Sequence, residues 1–185
     1  LFKRIKSACL KSGAFRDAVP VFGSGPVPSA VMIVGEAPGR EETKEGLPFV
    51  GKAGRFLVSM LEEVFGKGRD AFYITNVVKV WPTENTKRLK TRKPLPEEEE
   101  FFIPYLEEEI RIAGPKAIIA VGKTAFSALA PGIEFTPGQW CGSLGGIPVM
   151  PVYHPSYLLR RQKTLPESAK RFKEALGKVR KEISR

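Results

Sequence analysis

The 185-residue sequence is short of histidine, cysteine and acid, and each shortage excludes something. It holds one histidine and two cysteines. Cys9 and Cys141 lie far apart and neither belongs to a C-x-x-C pair, so the spacing supports neither a zinc site nor a redox dithiol. A reducing intracellular setting is expected, and a Cys9–Cys141 disulfide stays open. No apolar run reaches the about 18 residues that span a bilayer, so no membrane association of that kind is expected. The opening L-F-K-R-I-K-S-A lacks an apolar signal core. With no Met at position 1, residues upstream of Leu1 are expected. Lys and Arg number 30 against 20 Asp and Glu, a net charge of +10. Such an excess favours a polyanionic partner, nucleic acid ahead of an anionic membrane surface; the bland alternative is a set of solvated lysines.

What is present alternates between two periods. Apolar residues make up 42% of the chain, enough for one domain over 1–185 with a sizeable core. Short apolar runs at 30–34, 71–78, 116–121 and 147–153 predict buried strands. Between them, Phe56, Leu57, Met60, Leu61 and Val64 give a helical stripe over 53–65. A second helix is predicted from Leu95 to Ile112, with Pro96 in its first turn, glutamates at its positive end and Pro104 disturbing it. Another begins near Lys123. The last, about 166–183, sets Ala169, Phe172, Leu176, Val179 and Ile183 against a basic face. Strands separated by helices predict an α/β fold: a single-domain three-layer α/β/α sandwich around a central, mostly parallel four-stranded sheet. The cation-rich stretch 81–94 reads as a mobile basic loop.

In such a sheet, ligands bind beyond the C-terminal strand ends. Topology alone therefore gathers Glu36, Asn76 and His154, each at or just after a strand end, around one crevice. V-G-K-T at 121–124 resembles the tail of a phosphate loop, but Ala117 stands where the first glycine belongs, and nucleotide hydrolysis is rejected. G-E-A-P-G at 35–39 is a tight turn with backbone N–H groups to offer, or an ordinary turn. Phe49 is a stacking platform for a flat base, or a core plug. His154 is a site residue, or a structural strand-end histidine. Tyr157, Leu158 and Leu159 follow it beside Arg160 and Arg161, a pattern in which leucine wedges a duplex while arginines hold phosphates.

Taken in order, V-F-G-S-G-P (21–26), M-I-V-G-E-A-P-G-R-E-E (32–42), G-L-P-F-V-G-K-A-G (46–54), Y-I-T-N-V-V-K (73–79), I-P-Y-L-E-E-E-I (103–110), K-A-I-I-A-V-G (116–122) and the 145–160 block ending H-P-S-Y-L-L-R resemble the uracil-DNA glycosylase superfamily. The sequence looks closest to its thermostable, iron–sulfur-type (family 4) members. The resemblance implies removal of uracil from DNA by a monofunctional glycosylase. It places Glu36 and the loop containing Ala37 beside the deoxyribose and attacking water, and Glu42 at the C5 edge of the base. Phe49 would stack on uracil, Asn76 read its N3–H and O4, and His154 sit at O2, neutral or as imidazolium. Leu158 would fill the gap left by the flipped nucleotide. Ser156, Arg160, Arg161, Lys79 and Lys123 are the expected DNA contacts. No lysine is placed as a Schiff-base nucleophile.

The resemblance also implies four cysteines around a [4Fe–4S] cluster. Here only Cys9 falls near such a position; Lys6, Val80 and Phe102 take the others, and one thiolate cannot hold a cluster. No cofactor and no metal are expected, with Val80 and Phe102 packing apolar surface instead and Lys6 reaching solvent. The expected partner is uracil-containing DNA, acted on by a monomer without a membrane; a replication clamp or abasic-site endonuclease stays open. The alternatives are a same-fold glycosylase for other deaminated bases such as hypoxanthine, a catalytically inactive DNA-binding relative and, weakest, a membrane-surface protein.

Overall fold

The computed structural model of the chain describes residues 1–84, 89–141, 143–161 and 165–184. Helix α1 (Phe2–Lys11) comes first. Strand β1 (Val31–Gly35) leads through α2 (Arg40–Glu45) and α3 (Lys52–Phe65) to β2 (Tyr73–Asn76). Two short strands, β3 (Thr83–Glu84) and β4 (Lys90–Thr91), precede α4 (Pro96–Ala113). Then come β5 (Ala117–Val121), α5 (Lys123–Leu129), β6 (Ser143–Leu144), β7 (Ile147–Val152), α6 (Pro155–Arg160) and α7 (Leu165–Ile183).

The four long strands are parallel in the order β2-β1-β5-β7, as the strand–helix alternation predicts, and β6 adds a two-residue antiparallel edge beside β7. Side chains on successive strand residues point to opposite faces, and this builds three layers. Met32 and Val34 of β1 and Ile118 and Ala120 of β5 enter one core, with Ile5, Phe102, Leu106 and Phe126 from α1, α4 and α5. Val31, Ile33, Ile119 and Val121 enter the other, with Leu57, Leu61, Phe172 and Leu176 from α3 and α7. Both central strands are buried along their whole length, which is why they read as continuous apolar runs.

The chain runs from β1 out to β2 and then crosses back to β5 on the other side of β1. Winding therefore reverses between β1 and β5, and a crevice opens at their C-terminal ends.

Three elements differ from expectation. The apolar run 71–78 is strand only over Tyr73–Asn76, because Val77 and Val78 turn over the end of β1, donating to the carbonyls of Gly35 and Glu36. Helix α4 runs unbroken through Pro104, whose ring lies on the exposed face. The stretch 81–94 is not a loose loop where it is described. Thr83 and Glu84 pair with Thr91 and Lys90 as a ribbon, while 85–88 lie outside the described residues. Helices α2 and α6 are too short for a period to show, whereas α1, which carries Phe2, Ile5 and Cys9 at helical spacing, was missed. No described helix is long and apolar enough to cross a membrane.

Candidate active site

A cleft of about 480 Å³ opens over the strand ends. Glu36 enters it from the loop after β1, Asn76 from the end of β2, and His154 from the junction of β7 and α6. Ala37, Glu42 and Phe49 line the same cleft, as do Ser156, Tyr157 and Arg160 of α6. The carboxylate, amide and imidazole that lie far apart in the chain thus converge.

Backbone geometry makes this convergence tight. A Cβ at Gly35 would run into the Phe49 ring and the Asn76 amide oxygen, so only glycine lets both lie against the end of β1. Phe49 itself holds φ +55, a strained value for a residue with a side chain, and its backbone presses on Gly54 where a Cβ would collide. The strain sets the ring across from His154, with centroids 6.3 Å apart and planes 30° from parallel. Phe49 is 6% exposed and belongs to the core below, so platform and plug are one residue.

Glu36 Oε2 accepts a hydrogen bond from the Thr124 hydroxyl at 2.5 Å, across the β1–β5 junction. Thr124 lies in the V-G-K-T stretch rejected as a phosphate loop, and its placement three residues past the end of β5 was the available signal. Asn76 is 3% exposed, and its amide makes no hydrogen bond with any described side chain. Among the described residues no buried side-chain polar atom lacks a partner, so the polar edge of this amide opens on the cleft, where a ligand can meet it.

His154 caps α6. The Ser156 backbone N–H donates to its Nδ1 at 3.2 Å, and the Ser156 hydroxyl lies 2.7 Å from the same nitrogen. An Nδ1 that accepts leaves the proton on Nε2, which becomes a fixed donor. Burial pushes the imidazole below its ordinary value of 6.5; Glu36 pulls it back in part, Arg160 lowers it further, and Glu42 raises it. The neutral form therefore holds at neutral pH.

Glu42 spends its carboxylate on the backbone. Oε1 accepts from Val50 N–H at 3.0 Å and Gly51 N–H at 2.7 Å, and Oε2 accepts from Gly39 N–H at 3.0 Å. It lines the cleft as a clamp that ties the Gly39 turn to the loop carrying Phe49.

Two expected DNA contacts are corrected. Lys79 is wholly buried and ion-paired with Glu109; its Nζ also donates to Thr75 Oγ1 at 2.8 Å and to the Asn76 carbonyl at 2.6 Å. It cannot touch a phosphate. Leu158 is 1% exposed, packed with Val152, Phe172 and Leu176, because α6 turns that side inward. Entering a duplex would undo the burial of a leucine, about 1.5–3 kcal/mol. Lys123 is exposed at the start of α5, and Arg161 lies with its guanidinium 4.6 Å from the Tyr157 ring centroid; neither lines the cleft. Sequence reading missed the opposite wall, where Pro82, Thr91, Arg92 and Lys93 of the ribbon face α6.

The cluster that the resemblance implies has no fitting donors. Cys9, Val80 and Phe102 meet in one apolar core with Ile5 and Phe15, and Lys6 is exposed. One buried thiol, raised above its ordinary value by desolvation, is a poor metal ligand. Cys9 and Cys141 are both free. Among the described residues no group of three His, Cys, Asp or Glu side chains could hold a metal ion.

The class is that of parallel α/β/α sandwiches with a cleft at the switch point, lined here by an aromatic ring, an amide and an imidazole. Comparison with known proteins narrows that class. The family described as Uracil DNA glycosylase superfamily matches residues 22–180, and the chain belongs to it. A Thermotoga maritima protein named Type-4 uracil-DNA glycosylase is 41% identical over 149 residues, 77% of this chain and 72% of the relative. One of the same name from Sulfurisphaera tokodaii is 39% identical over 173 residues, 85% of this chain and 74% of the relative. The crystal structure of wild-type Pedobacter heparinus SMUG2 shares the fold, with TM-score 0.52 at 14% identity, covering 83% of this chain and 76% of that one.

Proposed function

We propose that this chain removes uracil from DNA by hydrolysing the N-glycosidic bond, leaving an abasic site. The observation that carries the reading is the Asn76 amide lining one cleft of about 480 Å³ together with the Phe49 ring and His154. A base inside a duplex is out of reach, so the nucleotide is extruded into the cleft. Phe49 stacks on the ring. The Asn76 amide donates to O4 and accepts from N3–H, and cytosine presents the reverse pattern there. As C1′–N1 breaks, positive charge grows on the sugar and negative charge on the base. His154 Nε2–H donates to O2 where that charge develops. The Glu36 carboxylate, held by Thr124, faces the sugar cation and orients the water whose oxygen bonds to C1′ as its proton passes to that carboxylate. Glu42 acts by fixing the loop shape rather than by touching the base. No step runs through a metal, and the apolar packing of Val80 and Phe102 supports a chain that works without a cluster. A single domain fits the continuous sheet.

The test is alkali cleavage of oligonucleotides after incubation with protein whose iron content has been measured. Iron-free protein is expected to yield abasic sites at uracil and to leave cytosine, thymine and hypoxanthine intact. Asn76→Ala is expected to lower kcat/KM for uracil by about tenfold to 10³-fold, the range for losing a paired polar contact, and to narrow the uracil preference. No abasic sites at enzyme excess would sink the reading, and preferential release of hypoxanthine would replace its substrate.

A further inference from the structure

The cleft has two lips, and only one is accounted for by the residues above. The first is α6, with Tyr157 and Arg160. The second is the β3–β4 ribbon, whose Pro82, Thr91, Arg92 and Lys93 complete the wall. Any strand that delivers a nucleotide into the cleft passes between them.

The base of the ribbon is pinned. Arg92 forks onto Glu98 with both nitrogens at 2.7 Å from the carboxylate oxygens, and its Nε donates to the Thr83 carbonyl at 3.2 Å. Its backbone N–H donates to the Pro82 carbonyl at 3.1 Å, and Trp81 Nε1–H donates to Thr91 Oγ1 at 2.9 Å. Glu98 in turn accepts from Leu95 N–H at 2.8 Å, so the ribbon is tied to the first turn of α4. Bidentate arginine pairs fix orientation as well as position.

Leu89 stands directly before β4. It is 64% exposed, the most exposed large apolar side chain among the described residues. Side chains alternate along a strand, so Leu89 falls on the same face as Thr91, which lines the cleft two positions on. Exposed Lys93 lies two positions beyond Thr91 at the cleft, and exposed Lys90, on the opposite face of the ribbon, stands 3.7 Å from Glu84. An extruded nucleotide leaves a hole in the stack, and an apolar side chain between cations is the chemistry that fills it while holding the phosphates on either side. Leu158 is locked in the core and cannot supply it.

We propose that the β3–β4 ribbon is the second DNA-contacting wall, with Leu89 entering the duplex at the vacated position and Lys90 and Lys93 on the flanking phosphates. This rests on the reading of the cleft as the seat of an extruded nucleotide. Single-stranded substrate needs no hole filled, and that separates the two ideas. Leu89→Ala, at an exposed position that folding does not need, is expected to lower kcat/KM on U·A duplex about tenfold, the scale of a lost wedge, and to leave single-stranded uracil release unchanged. Lys90→Ala/Lys93→Ala is expected to flatten the slope of log binding constant against log salt by about two, near 0.9 per phosphate contact. Equal loss on both strands, no loss on duplex, or an unchanged salt slope overturns the ribbon assignment. If the unaltered protein releases uracil from neither substrate, the reading of the cleft fails and takes the wedge with it.

Discussion

Replacing His154 with alanine is expected to slow uracil release by about 10²-fold with little change in KM, the effect of removing one donor that acts only as charge develops. That is about 2.7 kcal/mol of transition-state stabilisation at 1.36 kcal/mol per tenfold. The reason lies in the tautomer. Nδ1 is occupied by the Ser156 backbone N–H, so the proton sits on Nε2 of a residue that lines the cleft. His154→Gln, which keeps a neutral N–H donor, is expected to recover part of the rate, whereas a purely structural histidine would show no such order among variants. The pH profile follows from the same geometry. Burial depresses the folded imidazole below 6.5, so the neutral donor persists at and above that pH, and kcat is expected to stay flat from neutrality through mild alkali. On the acid side a proton must enter at Nδ1, against the Ser156 N–H. Activity then falls only below the ordinary imidazole range. Stability has the same sign: the unfolded chain binds the proton first, so this contribution is present above 6.5 and is lost as pH falls through the depressed folded value. A rate that rises on acidification would show that imidazolium is the active form.

The convergence of Glu36, Asn76 and His154 was legible because it depends on topology. Short apolar runs separated by helical stripes fix a parallel sheet, and a parallel sheet fixes which segments meet at its C-terminal edge. What was not legible was which side of a short element faces inward. Leu158 and Leu159 are neighbours with the same side chain, and the phase of one six-residue helix buries the first while leaving the second at the surface. Period cannot be read from so few positions. The ribbon wall was invisible for a related reason. Its two ladder pairs carry no apolar pattern, and Arg92 reaches Glu98 through a side-chain fork that spacing does not announce. Lys79 is a different case, because a signal was present. It interrupts V-V-K-V at 77–80, and Glu109 falls on the buried stripe of α4 with Phe102, Leu106, Ile110 and Ala113. A cation inside one apolar run and an acid inside another are candidates to pair.

That pair carries the largest stability effect expected in the molecule. Lys79 and Glu109 are both without exposure, and the second carboxylate oxygen is not idle: Tyr73 Oη donates to Oε1 at 3.3 Å, and Thr75 Oγ1 to Oε2 at 2.9 Å. Burial pushes the Lys79 ammonium below its ordinary value while Glu109 holds it up, and burial with the adjacent Glu109 charge raises the Tyr73 phenol. Lys79→Met leaves an acid in the core with no counter-charge, and Glu109→Leu leaves a cation there. Each is expected to destabilise by about 3–5 kcal/mol. For a chain of this size that lowers Tm by on the order of 10 °C. The double variant Lys79→Met/Glu109→Leu removes both charges and fills the space, and is expected to regain most of that loss, since desolvation of the two ions offsets their attraction. Thermal melts of the four proteins give the coupling directly. Activity adds a second readout. Lys79 Nζ donates to the Asn76 carbonyl, so the ion pair also holds the end of β2, from which the Asn76 amide enters the cleft. A double variant that melts like the parent yet excises uracil more slowly would assign the pair to positioning Asn76. Single variants that melt within a degree of the parent would show instead that the core admits water to the lone charge.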